Sequence, residues 1–261
     1  MRQVFMARVL AVCNQKGGVG KTTTSVNLAA ALAVSRKRVL VVDLDPQGNA
    51  TMGSGINKME LAAITGDLLL NEVAFDEAMI VAEKSGYDLL PANQNLTTAE
   101  VELMGVSSRE FQLQKILSAV SKRYDYVVID CPPSLNILTV NALVAAKSVV
   151  IPTQCEYFAL EGLSALMQTI ERIRNATNSE LATEGILRTM FDPRNNLALD
   201  VSKELLRHFG KQVFRTIIPR NVALAEAPSY GMPITSYDNN CRGARAYLAL
   251  AGEILRKHKK T

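Results

Sequence analysis

The stretch Val9-Leu10-Ala11-Val12-Cys13 runs directly into Asn14-Gln15-Lys16-Gly17-Gly18-Val19-Gly20-Lys21-Thr22-Thr23-Thr24, and a helix-forming segment follows to Val34. A short apolar run ending at a turn signal reads as a buried strand, and Lys21–Val34 has the length and composition of a helix. Gly17, Gly18 and Gly20 let the backbone between them curl so that successive N–H groups point inward. The start of the helix adds its partial positive charge at the same spot, making a nest for a di- or triphosphate. Lys21 is placed to neutralise terminal phosphate oxygens, and the Thr22 hydroxyl to ligate Mg²⁺. A glycine-rich turn alone merely joins a strand to a helix. Strand, glycines, Lys-Thr and helix in that order point to phosphate binding.

Outward from this loop the same alternation continues. Val39–Asp43, Asp88–Leu90, Tyr126–Asp130, Ser148–Pro152, Gly185–Phe191 and Val213–Ile218 read as further buried strands. Arg109–Lys122, Asn136–Ala146, Leu160–Asn175, Asn196–Phe209 and Arg242–Lys257 read as helices, while Gln47–Ala74 is loop with short helix. This βαβ rhythm predicts an α/β fold: one doubly wound, mostly parallel sheet flanked by helices, with ligands beyond the carboxyl ends of its strands. A single domain over residues 1–261 is expected, its last residues from 257 fraying.

Composition agrees and excludes other classes. The chain is 48% hydrophobic with no Trp, which suits a core of aliphatic residues. Lys and Arg number 29 against 25 Asp and Glu, an excess too small to mark a nucleic-acid binder by itself. Cys13, Cys131, Cys155 and Cys241 form no CxxC pair, and only His208 and His258 are present, so neither a disulfide framework nor a zinc site is indicated. No run reaches the roughly 18 apolar residues of a membrane span, and a cytoplasmic location without membrane attachment is expected.

Two further strands end in carboxylates. Val42-Asp43-Leu44-Asp45 and Val127-Val128-Ile129-Asp130-Cys131-Pro132-Pro133 would bring Asp43, Asp45 and Asp130 to the strand ends beside the phosphate loop. Asp130 is suited to hold Mg²⁺ through its water ligands, with Pro132-Pro133 stiffening the loop that follows. Cys131 reads as a small filler at the strand end.

The loop departs from the usual pattern, with Gln15 at the place of its first glycine and a second lysine, Lys16, opening the glycine run. Lys16–Thr23 resembles the deviant Walker A motif of the ParA/MinD family of ATPases. The resemblance implies that Lys16 is the signature lysine, which reaches across a nucleotide-sandwich homodimer to the partner's phosphates. It implies that Asp45, in the first switch, orients the hydrolytic water. Catalysis would then rest on Lys16, Lys21 and Asp45, and nucleotide binding on Gly17, Gly18, Val19, Gly20, Lys21, Thr22 and Thr23. Metal binding would rest on Thr22 and Asp130. Pro219, Arg220 and Asn221 would lie against adenine, making ATP with Mg²⁺ the cofactor pair. No arginine stands out as a finger, so unassisted hydrolysis is expected to be slow, a timer rather than a bulk catalyst.

Asp43–Thr51, Leu90–Asn93, Asp130–Ser134, Glu156–Gly162, Ile218–Ser229 and Arg242–Leu250 resemble the ParA/Soj partition branch, over about Val9 to Leu255. That branch implies an ATP dimer that coats DNA without sequence preference, stays with the nucleoid, and is released when a ParB-like partner stimulates hydrolysis. The cargo would be a chromosome or a plasmid. Arg194 matches one of its DNA-binding arginines, and Lys203, Arg207, Lys211 and Arg215, on or beside one amphipathic helix, would widen the patch unless they are only a solvated face. Ala223 stands where family members commonly carry an arginine needed for DNA binding, which implies weakened binding here. Other members of the family suggest rivals. A MinD-like membrane-positioning ATPase needs an amphipathic helix beyond Lys257, where only His258–Thr261 remains. An iron–sulfur carrier needs paired cysteines, and Cys131 and Cys155 lack that spacing. A ParA-like ATPase positioning another cargo stays open.

Overall fold

Apolar residues at both odd and even positions of the strands leave no face for water, so each strand must be covered on two sides. The computed structural model describes residues 7–259 and shows how this is met. Its strands are β1 (Arg8–Val12), β2 (Val39–Asp43), β3 (Ile80–Ala82), β4 (Tyr87–Leu90), β5 (Tyr126–Asp130), β6 (Ser148–Gln154), β7 (Ala182–Phe191) and β8 (Val213–Pro219). Among the described residues they form one sheet in the order β3-β4-β2-β5-β1-β6-β7-β8. All neighbours are parallel except β3 and β4. Ala11, Leu40, Val42, Val127 and Ile129 face one layer, which holds helices Gln112–Val120, Ile137–Ala145, Ala159–Ala176 and Asn196–Phe209. Leu10, Val12, Val39, Val41 and Val128 face the other, under helices Lys21–Val34 and Arg242–His258. This is the doubly wound α/β fold that the alternation predicts. The loops after β1, β2 and β5 all leave from the carboxyl edge at its centre.

Most boundaries agree within a few residues of expectation, and the differences have local causes. β3 is not expected from the sequence, because three residues carry no periodicity and Val81 on it is exposed. Helix Leu96–Leu103 is likewise an addition to the expected elements. The expected helix from Arg109 to Lys122 is a 3₁₀ turn, Arg109–Phe111, followed by helix Gln112–Val120. Gln47–Ala74 contains the short helices Asn49–Gly53 and Thr65–Leu69.

The tail expected to fray from residue 257 is instead helical through His258, while Lys260 and Thr261 lie outside the described residues. His258 is held because its Nε2 lies 3.0 Å from Glu184 Oε2 and its Nδ1 2.9 Å from the Tyr126 hydroxyl. Ser148 Oγ donates to the same Glu184 oxygen at 2.6 Å, and Lys257 Nζ lies 3.1 Å from the other. Burial opposes ionisation of Glu184, but these partners prevail and hold its pKa down at about 2. The cluster closes the amino end of the strands, away from the phosphate loop.

At the outer edge of the sheet, Glu253 of the last helix reaches β8. Its carboxylate accepts the Arg215 N–H at 2.9 Å, and the Thr216 N–H at 3.0 Å with the Thr216 hydroxyl at 2.8 Å.

Candidate active site

β1 gives up its pairing with β6 after Cys13, whose N–H donates to the Val150 carbonyl at 3.1 Å, and the chain turns into the loop. Pro152 on β6 has no N–H to offer, and it falls where β1 has already left the sheet. Its carbonyl is taken by Asn14 Nδ2 at 2.7 Å, and Asn14 Oδ1 accepts the Lys16 N–H at 3.0 Å. Gly18 and Gly20 have φ of 74° and 84°, left-handed values that favour glycine. A Cβ on Gly17 or Gly18 would meet nothing within 4 Å, so there is open space beside this part of the loop. Lys21 is buried at 7% exposure and donates from Nζ to the Lys16 carbonyl at 3.1 Å. The far side of the loop is braced by Thr189 of β7, whose Oγ1 donates to the Val19 carbonyl at 2.8 Å.

Strand register sets the carboxylates. Asp43 and Asp130 are direct neighbours at the ends of β2 and β5, and both are fully buried. Asp43 is spent on the backbone: Oδ1 accepts the Asp45 N–H, and Oδ2 accepts the Thr51 N–H and hydroxyl at 2.9 and 2.8 Å. Asp130 Oδ1 accepts from Ser25 Oγ at 2.8 Å, but its Oδ2 is buried with no hydrogen-bond partner. Burial, then the charge of Asp43, pushes the Asp130 carboxyl well above its ordinary range, and the Ser25 and Thr22 hydroxyls pull it only partly back. Burial likewise pushes Asp43 up, against the hydrogen bonds from Thr51.

A buried carboxylate oxygen left bare beside a threonine hydroxyl and a phosphate nest suits a hydrated divalent cation. Magnesium takes one or two carboxylates, keeps several waters and completes its shell with phosphate oxygens. Asp45 is also buried, at 8% exposure, and its Oδ1 accepts the Gln47 N–H at 3.0 Å. Cys131 and Cys13 lie side by side. The neighbouring Cys13 thiol, then burial, raises the Cys131 thiol well up, so it is protonated and unreactive.

A cavity of about 340 Å³ opens from Gly20 and Thr23 and is lined further along by Met190, Pro219, Arg220 and Asn221. The structure thus joins the phosphate loop to the segment that the family resemblance assigned to adenine. Asn221 Oδ1 also caps helix Val222–Glu226 through the Leu224 N–H at 3.3 Å, which fixes the segment's direction. Thr189 and Met190 belong to this site and no motif marks them. Tyr247 lines the cavity too, its hydroxyl 3.2 Å from that of Thr24.

Lys16, at the start of the loop, pairs with Glu156 and has 43% of its side chain exposed. Such exposed pairs contribute only ~0–1 kcal/mol, so the lysine leaves this partner at little cost. Beside Glu156, Tyr157 and Phe158 are 76% and 66% exposed and pack edge to face at 5.0 Å. The two adjacent aromatics form a small apolar patch turned to water.

Of the residues expected to form a basic patch, three face acids. Arg194 pairs with Asp192, Lys203 with Asp200 and Arg207 with Glu204. Helix Asn196–Phe209 therefore carries two carboxylates against two cations, leaving no net charge apart from His208. Lys211 is exposed on the 3₁₀ turn Gly210–Gln212 and Arg215 on the edge strand β8.

The C-terminal helix buries Tyr247, Leu250, Ala251 and Ile254 against the sheet, so its apolar face is already used. Among the described residues, no helix is long and apolar enough to cross a membrane.

A family model described as an AAA domain matches residues 7–183. The sporulation initiation inhibitor protein Soj of Bacillus subtilis is 51% identical over 249 residues, covering 95% of this chain and 98% of that protein. The chromosome partitioning protein ParA of Caulobacter vibrioides is 48% identical over 254 residues, covering 97% and 95%. Among solved structures, cobyrinic acid a,c-diamide synthase from Mycobacterium smegmatis with bound ADP and magnesium superposes with a TM-score of 0.86 at 38% identity, covering 97% of this chain and 96% of that one. With a phosphate loop, two converging acidic strands and relatives matched end to end, the chain belongs to the ParA/Soj family of chromosome-partitioning ATPases.

Proposed function

We propose that this chain is an ATP-dependent dimerisation switch that positions DNA. Two copies clasp nucleotide between them, and the ATP-bound pair holds DNA without sequence preference until hydrolysis separates it. The carrying observation is Lys16: a second cation at the start of the loop, its side chain held, among the described residues, by an exposed ion pair beside bare aromatics. A lysine so placed is free to swing outward to a triphosphate on a second subunit. The partition reading follows the relatives at 51% and 48% identity rather than the amide-synthase name carried by the structure at 38%.

The loop N–H groups and Lys21 bind the phosphates, and Thr22 with the bare Asp130 oxygen would hold magnesium. Bound there, magnesium would supply charge neutralisation to the phosphate oxygens. Asp45 orients the attacking water. Pro219, Arg220 and Asn221 hold the base. Hydrolysis is slow until a ParB-like partner acts, and the two nucleotide states differ in their affinity for DNA, which is all that a switch requires.

Light scattering with ADP and with ATP plus magnesium tests the core of this reading. Asp45→Ala is expected to accumulate as a dimer in ATP and Lys16→Ala to remain a monomer. A monomeric Asp45→Ala at saturating nucleotide would end the proposal.

DNA contact is proposed for Arg194, Lys203, Arg207, Lys211 and Arg215, with three of them drawing on cations that now face neighbouring acids. Ala223 is half-buried on helix Val222–Glu226, next to the exposed Val222. Ala223→Arg is expected to tighten DNA binding in ATP and to steepen its salt dependence by about one unit of log–log slope per added phosphate contact. Unchanged affinity and slope by interferometry would remove this position from the DNA surface.

A further inference from the structure

The end of β7 contains an anomaly that the activity as proposed does not use. Met190 lies inside the strand Ala182–Phe191 with φ of 49°, in the left-handed region that a side chain disfavours. Among the described residues, the other non-glycine residues with positive φ, Arg36, Asn71 and Ser108, all lie outside strands, at turns or helix ends. At Met190 the pairing with β8 slips between Arg188 and Phe191, which makes this a bulge in the ladder. Strain kept within a strand needs an outlet, and bulges beside binding sites re-aim side chains.

Here the outcome of the bulge is visible on both sides. Thr189 reaches the Val19 carbonyl of the phosphate loop at 2.8 Å, while Met190 turns into the cavity that runs from Gly20 to Asn221. The Met190 methyl comes within 3.7 Å of where a Cβ on Gly20 would stand, so it borders the loop itself. Its sulfur is held from behind by Gln154 Nε2 at 3.4 Å, which limits the thioether's freedom to swing out of the slot. A polarizable sulfur chain fixed in an apolar slot is suited to the face of an aromatic ring.

We infer that Met190 is the base-packing residue of the nucleotide site: the bulge in β7 exists to press its thioether against the face of a purine whose phosphates lie in the loop. The inference rests on the nucleotide-binding reading above and adds a residue to it. Glycine accepts the left-handed backbone without strain, so Met190→Gly removes the side chain while easing the main chain. Leucine at this position keeps the apolar surface and forfeits only the sulfur acceptor of Gln154.

The test is calorimetric titration of the whole chain with ATP plus magnesium and, separately, with inorganic tripolyphosphate plus magnesium. Met190→Gly is expected to raise the ATP Kd at least about tenfold, the scale on which a binding pocket registers the removal of apolar carbons. Its tripolyphosphate Kd should stay within about twofold of the parent's, and Met190→Leu should stay within about threefold for ATP. An unchanged ATP Kd in Met190→Gly overturns the inference. So does an equal weakening for tripolyphosphate, which would make Met190 a brace of the loop, or a weakening in Met190→Leu as large as in Met190→Gly. Failure of the parent chain to bind ATP would instead sink the nucleotide reading as a whole.

Discussion

Asp130→Asn is expected to lower magnesium-dependent ATP hydrolysis by about 10³-fold or more, since metal stabilisation of transition-state charge amounts to several kcal/mol. Asparagine keeps the volume of the side chain and an oxygen for the Ser25 hydroxyl. What it loses is a bare oxygen at Oδ2 that can ionise against a cation, and an amide there presents N–H groups or a neutral oxygen instead. The nucleotide-free fold should melt no lower than the parent's, and higher at neutral pH. The carboxyl's folded-state pKa is raised from its ordinary 3.8 to about 8, so at neutral pH the fold holds a proton that the unfolded chain releases; this costs stability, and the cost fades as pH falls toward 3.8. Asparagine removes the cost at every pH. Phosphate release at saturating ATP and magnesium, with melting followed from pH 7 down to 4, checks both halves. Hydrolysis within tenfold of the parent would take Asp130 out of the metal site.

The second large effect lies at the opposite end of the sheet and concerns folding. His258→Ala is expected to destabilise the chain by about 3 kcal/mol, because it leaves the Glu184 carboxylate short of a partner inside the protein. A loss of that size is a large part of the ~5–15 kcal/mol that holds such domains together. Glu184 also makes the parent acid-sensitive in a defined window. Its folded-state pKa of about 2 lies below the ordinary 4.5, so its contribution is complete above pH 4.5 and is lost as pH falls toward 2. Urea unfolding of the parent and of Glu184→Gln should therefore show a stability gap at pH 7 that narrows below pH 4.5. A gap that is constant from pH 7 to pH 3 would show that Glu184 is not ionised against its neighbours as described.

The two ends of the sheet also differ in how openly the sequence announces them. The carboxyl end is legible because its chemistry is written contiguously: Lys16–Thr23 names a loop shape, and Val127–Asp130 names a strand with its acid at the end. A structural role for Asp43 is the sequence expectation, but its partner Thr51, eight residues on, emerges only once Asn49–Gly53 is seen to be helical. Met190 gives no sign, since a bulge depends on two neighbouring strands and leaves no pattern in one. Nor does the Glu184 cluster, whose members Tyr126, Ser148, Glu184 and His258 come together only through strand order. The basic residues are legible as charges but not as a field, because Asp192, Asp200 and Glu204 neutralise their neighbours.

Glu253 constrains how copies of this chain can join. A sheet whose outermost strand offers free amide hydrogens invites another chain to extend it, and such growth is hard to reverse. With two of those hydrogens on β8 already engaged by a carboxylate, and with the opposite border formed by a three-residue strand, ribbon-like polymerisation is discouraged at either margin. Self-association is left to side-chain surfaces that can come apart again, which the proposed switch between one and two copies would need at high local density.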